Sequence, residues 1–325
     1  LSSLGFRVNR QWLKGMSVQY RSAQEVSQHI CSEYDIKDSD SDWVWFCITV
    51  LWERWFSDVP NLEMIDDKMQ LGYERLEKND IAGACDEWLS YWRDVLMLMK
   101  KWKIQTVKEF DNRFLQTQSI YNWCQDFEME LGNAATKDGK YNEVRIEYCR
   151  QIMPLVDADK TLIKENMRRA IAESYFNMGE TAEADRLYEG WLTEDPKWGW
   201  GWIGWSDLYG LFSPSDADYQ RAEQILTKAI AISGLRDKAA VLDRLSDLHE
   251  KSAKGNEKEK ADTTYEPIKA INFKNGPTSQ PGSITGSQIE QLSEKNSLSS
   301  VVGKKKKKVG RNDPCPCGSG RKYKR

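Results

Sequence analysis

Apolar side chains recur at three- and four-residue spacing over most of residues 43–250. Gly and Pro fall between the segments, and no alternating stretch is long enough for a strand, so the pattern predicts helices throughout. The most apolar run, residues 43–56, still contains Glu53 and Arg54 and reads as a buried helix. Asp38, Asp40 and Asp42, interleaved with Ser39 and Ser41, stand before it as an N-cap signal. Residues 107–131 and 141–153 read as two more helices, and 236–250 as a capping helix with Leu242, Leu245 and Leu248 on one stripe. Residues 1–42 are mixed, with the flavour of a helix end near 7–16. After Lys251 the pattern stops. Residues 251–303 are rich in Ser, Gly, Thr, Lys and Gln, which predicts a solvated, disordered linker.

A repeat runs inside the helical part. With Glu165 as position 1, Ala172 falls at 8, Tyr175 at 11, Gly179 at 15, Ala184 at 20, Tyr188 at 24 and Pro196 at 32. The next unit starts at Gly199 and puts Trp202 at 4 and Tyr209 at 11; an insertion of four residues around Ser213-Pro214 then brings Ala222 to 20 and Ala229 to 27. Small residues let two helices approach, and aromatics fill the gap to the next pair. Upstream, Leu71 and Gly72 take positions 7 and 8, with Ala84 at 20 and Trp88 at 24. Over 65–250 the chain resembles a divergent tetratricopeptide-repeat protein. That resemblance implies an all-α solenoid of antiparallel helix pairs, preceded by an N-terminal helical segment over 1–64.

It also implies which side chains face the concave groove: Asn166, Arg169, Glu173 and Asn177 from one unit, and Trp200 and Asp207 from the next. A polar groove with one Trp suits an extended peptide, although a solvated face explains the same residues. Trp202 and Trp205 take positions that normally face the core between helices, so packing is their expected role.

Composition changes this picture little until charge is split along the chain. With 40% hydrophobic residues and 14 Trp among 325, there is enough apolar surface for a sizeable core, which excludes wholesale disorder. Residues 304–325 hold ten basic residues against the single acid Asp313, a charge of +9; the total of −3 leaves −12 for residues 1–303. A body that acidic does not wrap nucleic acid along its whole surface. Only the tail, led by Lys304, Lys305, Lys306, Lys307 and Lys308, offers phosphates or other anions a partner. No apolar stretch reaches the length of a membrane span. Five of the seven Cys are scattered singly, which points to reduced thiols and a cytoplasmic compartment.

The tail also carries the one motif with metal chemistry. Cys315 and Cys317 alternate with Pro314 and Pro316, followed by Gly318, Gly320 and a basic end at Arg321, Lys322, Lys324 and Arg325. Residues 310–325 resemble the SEC-C motif, named for the C-terminal tail of a preprotein translocase ATPase and common in bacterial proteins. In that family a Cys-x-Cys pair and, eight residues later, a Cys followed by Cys or His hold one zinc ion. The resemblance implies zinc as cofactor, with Cys315 and Cys317 as the first two ligands. Eight residues follow Cys317 and end at Arg325, so the second ligand pair is expected just after Arg325 and the tail reads as truncated. Leu1 in place of Met gives the same impression at the other end.

Phosphate-binding, nucleophile-elbow and metalloprotease motifs are missing from the sequence. With only two His, Ser–His or His–metal catalysis has little to draw on. Asp66-Asp67 and the Asp38 cluster read as helix caps rather than catalytic pairs. The expectation is a non-enzymatic interaction adaptor: the helical body holds a protein or peptide, and the zinc module makes a second contact. The alternative is a nucleic-acid-associated regulator that uses the basic tail and an N-terminal helix-turn-helix, of which residues 8–14 would be the remnant.

Overall fold

Short connections and strong caps divide the chain into many helices. The computed structural model describes residues 5–159, 161–210 and 217–263, with side chains up to 253. The tail, residues 264–303 of the expected linker and the Ser213-Pro214 insertion lie outside the described residues. Among the described residues all regular structure is helical. Helices α1 (Arg10–Gln19), α2 (Ala23–Glu33) and α3 (Asp38–Trp55) enclose a first core around Leu13, Val26, Ile30, Val44, Ile48 and Trp52. Helices α4 (Leu62–Glu77), α5 (Ile81–Trp102), α6 (Val107–Arg113), α7 (Ile120–Ala135), α8 (Lys140–Ile152) and α9 (Thr161–Asn177) share a second, built on Trp88, Trp92, Trp123, Phe127 and Tyr148. The third lies among α9, α10 (Thr181–Glu194), α11 (Gly199–Gly210), α12 (Tyr219–Ile230) and α13 (Lys238–Thr263), around Tyr188, Trp198, Ile203, Leu226 and Leu248.

The helices pack as successive pairs: α4 with α5, α7 with α8, α9 with α10 and α11 with α12. Helices α7, α9, α11 and α13 touch in turn and make one row. Two turns explain the hairpins. Position 15 is Asn79 in the upstream pair and Gly179 in the α9–α10 pair, and both have positive φ, 59° and 82°. In each, the next residue donates back across the turn: Asp80 N to Arg75 O and Glu180 N to Tyr175 O, both 2.9 Å. A left-handed residue there closes the helix and reverses the chain, which Gly does without strain and Asn at small cost.

The position 8 to position 24 contact is equally specific. A Cβ on Gly72 would lie 2.0 Å from Nε1 of Trp88, a fully buried indole that donates to Met69 O at 2.9 Å. In a free helix Gly→Ala stabilises by up to about 1 kcal/mol. Here the indole must move, so Gly72→Ala is expected to destabilise by about 1–3 kcal/mol, the usual range for an overpacked core. A lowered urea midpoint at unchanged slope is the check; a rise would show that α4 and α5 are not in this contact.

Several expectations are corrected. The run 43–56 is not a buried helix: Val44, Ile48, Trp52 and Phe56 are buried in the core, while Trp43 and Phe46 are 66% and 60% exposed. Helix α3 begins a turn early, so Asp38 and Asp40 sit in its first turn and Lys37 takes the N-cap place. Asp66 and Asp67 lie inside α4 rather than at its start, and Asp66 instead accepts from N and Oγ1 of Thr117, at 2.8 and 2.7 Å. That contact belongs to a break in the helix expected over 107–131, where Asp111 accepts from Ile120 N at 2.8 Å and Ser119 caps α7. In α13 the buried stripe is Val241, Leu245 and Leu248; Leu242 is 45% exposed, because spacing of three alone drifts around the helix. The same helix runs past Lys251 to Thr263, so linker composition begins inside it.

Candidate functional site

Helices α9 and α11 cross close together because Gly204 leaves room. A Cβ there would lie 2.6 Å from Oη of Tyr188 and 3.2 Å from Nε of Arg169. Arg169 fills that space, and its guanidinium carbon sits 5.7 Å above the ring of Trp200, which is 37% exposed. Cation and indole face attract each other at this distance. On the same helix Asp207 is only 4% exposed. Its Oδ1 lies 3.5 Å from Nε of Arg244 on α13 and accepts no hydrogen bond; Nε of Arg169 likewise lacks an acceptor. Burial pushes the Asp207 carboxyl up to about 6, against the opposing pull of Arg244, Arg169 and Lys251.

The structure thus brings Arg169, Trp200 and Asp207 together and adds Arg244, which the sequence reading missed. Arg244 shares the packed face of α13 with Val241, Leu245 and Leu248, in a helix read only for its leucines. Glu173 turns elsewhere, to Nη2 of Arg145 on α8 at 3.0 Å. Asn166 is half-buried and Asn177 exposed on α9, and no described contact joins either to the cluster. Trp202 and Trp205 are core residues, 8% and 7% exposed, with their indoles donating to Pro196 O at 2.9 Å and Asp185 Oδ1 at 2.6 Å.

Such a cluster can bind but offers little chemistry. A buried carboxylate oxygen without a hydrogen bond and a guanidinium with an open N–H suit main-chain amides of a guest segment, and the exposed indole suits an apolar side chain. The raised Asp207 pKa sets a pH dependence. The unfolded acid titrates near about 4; between there and about 6 the folded chain keeps a proton that the unfolded chain has released. Stability contributed by this group therefore falls as pH rises through that window. Asp207→Asn is expected to gain roughly 2–3 kcal/mol relative to the natural chain between pH 4 and pH 7. Denaturation of both proteins across pH reads this directly, and a flat difference would remove the claim.

Among the described residues no group of three or more His, Cys, Asp or Glu is placed to hold a metal ion. Burial pushes the thiols of Cys85 and Cys124 up to about 12, and that of Cys149 well above its ordinary value, so none of them is a ready thiolate. Nε2 of His249 lies 3.0 Å from Oε1 of Glu223. Cys315 and Cys317 and the lysines 304–308 lie outside the described residues. Residues 311–325 match the family model of the SEC-C motif. The chain carries a SEC-C motif. No curated protein and no solved structure matches the chain. The two thiolates of the SEC-C stretch fit zinc by type and supply half of a tetrahedral set. Among the described residues no helix is long and apolar enough to cross a membrane.

Proposed function

We propose that this protein is a non-enzymatic interaction adaptor, working in the cytoplasm, whose helical body holds an extended segment of a protein partner while the SEC-C stretch, loaded with zinc, contacts another surface. The observation that carries the reading is Asp207: 4% exposed, with Oδ1 paired to Arg244 only at 3.5 Å and accepting no hydrogen bond, on the same helix as the exposed Trp200 that Arg169 covers, in the row α9–α11–α13. An unsatisfied buried carboxylate costs stability unless a guest supplies the donor. Kinship of the helix pairs to tetratricopeptide repeats belongs to the same proposal; the left-handed residues at position 15 and the Gly72–Trp88 contact support it.

The test uses the whole chain panned against displayed random peptides. Peptides selected on the groove should lose about tenfold or more in affinity with Trp200→Ala or Arg169→Ala, and binding should change little with salt. The alternative, nucleic acid held by the basic tail, has the opposite signature: affinity should fall steeply with salt, survive Trp200→Ala, and disappear when lysines 304–308 become Gln. Enrichment of peptides indifferent to both groove substitutions would sink the groove.

A further inference from the structure

Away from the row of groove helices, a cavity of about 610 Å³ opens among α1, the α3–α4 connection and the end of α5. Three cations line it, Arg10 and Lys14 from α1 and Lys101 from α5, with Asp58 as the one carboxylate in the lining. None of the three cations forms an ion pair among the described residues. Two of them are nevertheless held in place. Arg10 donates from Nη2 to Trp55 O at 3.1 Å, with its guanidinium carbon 5.6 Å from the Phe56 ring centre. Lys101 donates from Nζ to Ser17 O at 2.6 Å, which ties α5 to α1.

We propose that this cavity binds a small phosphate monoester. All three are exposed, so water screens their mutual repulsion, but like charges gathered on one wall still favour an anionic ligand. Three positive charges against one negative leave a surplus that matches a dianion better than a monocarboxylate. Arginine adds a planar fork suited to phosphate oxygens. The rings of Trp55 and Phe56 form an apolar wall for the organic part of the ester, and Asp58 can accept from its hydroxyl or amino group. Size agrees, because small-molecule sites run from about 300 to 1,000 Å³. Partial desolvation lowers the Lys101 pKa, although the side chain keeps its contact with solvent. A nucleic-acid strand would instead call for a basic face spread over α1 and α2, and the exposed positions of α2 are Gln24, Gln28, Ser32 and Glu33.

Calorimetric titration of the whole chain, with lysines 304–308 replaced by Gln to silence the tail, tests the site. Phenyl phosphate and adenosine monophosphate are the probes, adenosine the uncharged control, and inorganic phosphate the competitor. Saturable binding of at least one ester at one site is expected, absent for adenosine and displaced by inorganic phosphate. Lys14→Gln and Arg10→Gln should each weaken it about tenfold or more, as loss of a charge-assisted hydrogen bond does, while Lys14→Arg keeps most of it. Lys14 is exposed and unpaired, so its substitution should leave the fold intact, which circular dichroism can verify. Lys137→Gln, on another surface, should change nothing. No binding of either ester overturns the proposal. So does binding indifferent to Lys14→Gln and Arg10→Gln, or a DNA duplex that binds in preference to both esters and is lost with the same substitutions.

Discussion

Arg145→Ala should cost about 3–5 kcal/mol. The guanidinium is 8% exposed and joins three helices. Its Nε and Nη2 both donate to Glu128 Oε1 on α7, at 2.8 and 2.5 Å, and Nη2 also donates to Glu173 Oε2 on α9 at 3.0 Å. Gly132 makes the space, since a Cβ there would stand 3.0 Å from the guanidinium carbon. Burial alone would weaken the charge, but Glu128 and Glu173 outweigh it and hold the Arg145 pKa above its ordinary value. Removing Arg145 leaves Glu128, 14% exposed, with its charge uncompensated. The penalty is that stranded charge rather than the worth of the pair.

Two companions distinguish this account from simple loss of packing. Arg145→Leu combined with Glu128→Leu removes both charges and should recover a good part of the loss. Glu173→Gln should cost far less, because Glu173 is 31% exposed and water can replace its share. Urea denaturation followed by circular dichroism gives all three, and a loss below about 1 kcal/mol for Arg145→Ala would refute the argument. The network also bears on the groove. Glu173 lies one helical turn from Arg169 on α9, so the clamp on Glu173 helps fix the rotation of α9 and with it the placing of Arg169 over Trp200.

Periodicity made the helices legible because each buries one stripe, and the repeat register was legible where it depends on residue type alone. Gly179 must accept positive φ, and Gly72 must leave room for Trp88; both are properties of the residue itself. The break at 114–119 was hidden because Asp111 and Asp66, outside the break, satisfy its backbone and hydroxyl groups. The exposed side of α3 was hidden too, since Trp43 and Phe46 look like core to any hydrophobicity count. Charged residues are the least readable. Glu128, Arg145 and Glu173 pass for a solvated face until three helices are brought together, and Asp207 reads as a groove residue without the Arg244 that half-satisfies it. The SEC-C stretch is the opposite case: paired Cys between Pro and Gly need no tertiary context to be recognised.

Metal binding should separate this 325-residue chain sharply from one lengthened by Cys-Cys or Cys-His after Arg325. The lengthened chain is expected to hold one zinc ion more than about a hundredfold more tightly, because a complete ligand set makes metal binding and local folding one event. With Cys315 and Cys317 alone, water fills half of the tetrahedral shell, and ordering a Gly-rich loop is hard to offset with two bonds. Burial raises the Cys85, Cys124 and Cys149 thiols, which disfavours them as ligands, while Cys31 and Cys47 are half-buried. Ser at Cys315 or Cys317 should abolish the gain; Ser at Cys85 or Cys149 should leave it intact, whatever it does to packing. Competition with a chromophoric chelator gives affinity and stoichiometry for each protein. Equal, tight binding of one zinc by the unextended chain would mean that another residue completes the shell, and His249→Ala would be the first substitution to make, since its imidazole would have to leave Glu223 to serve.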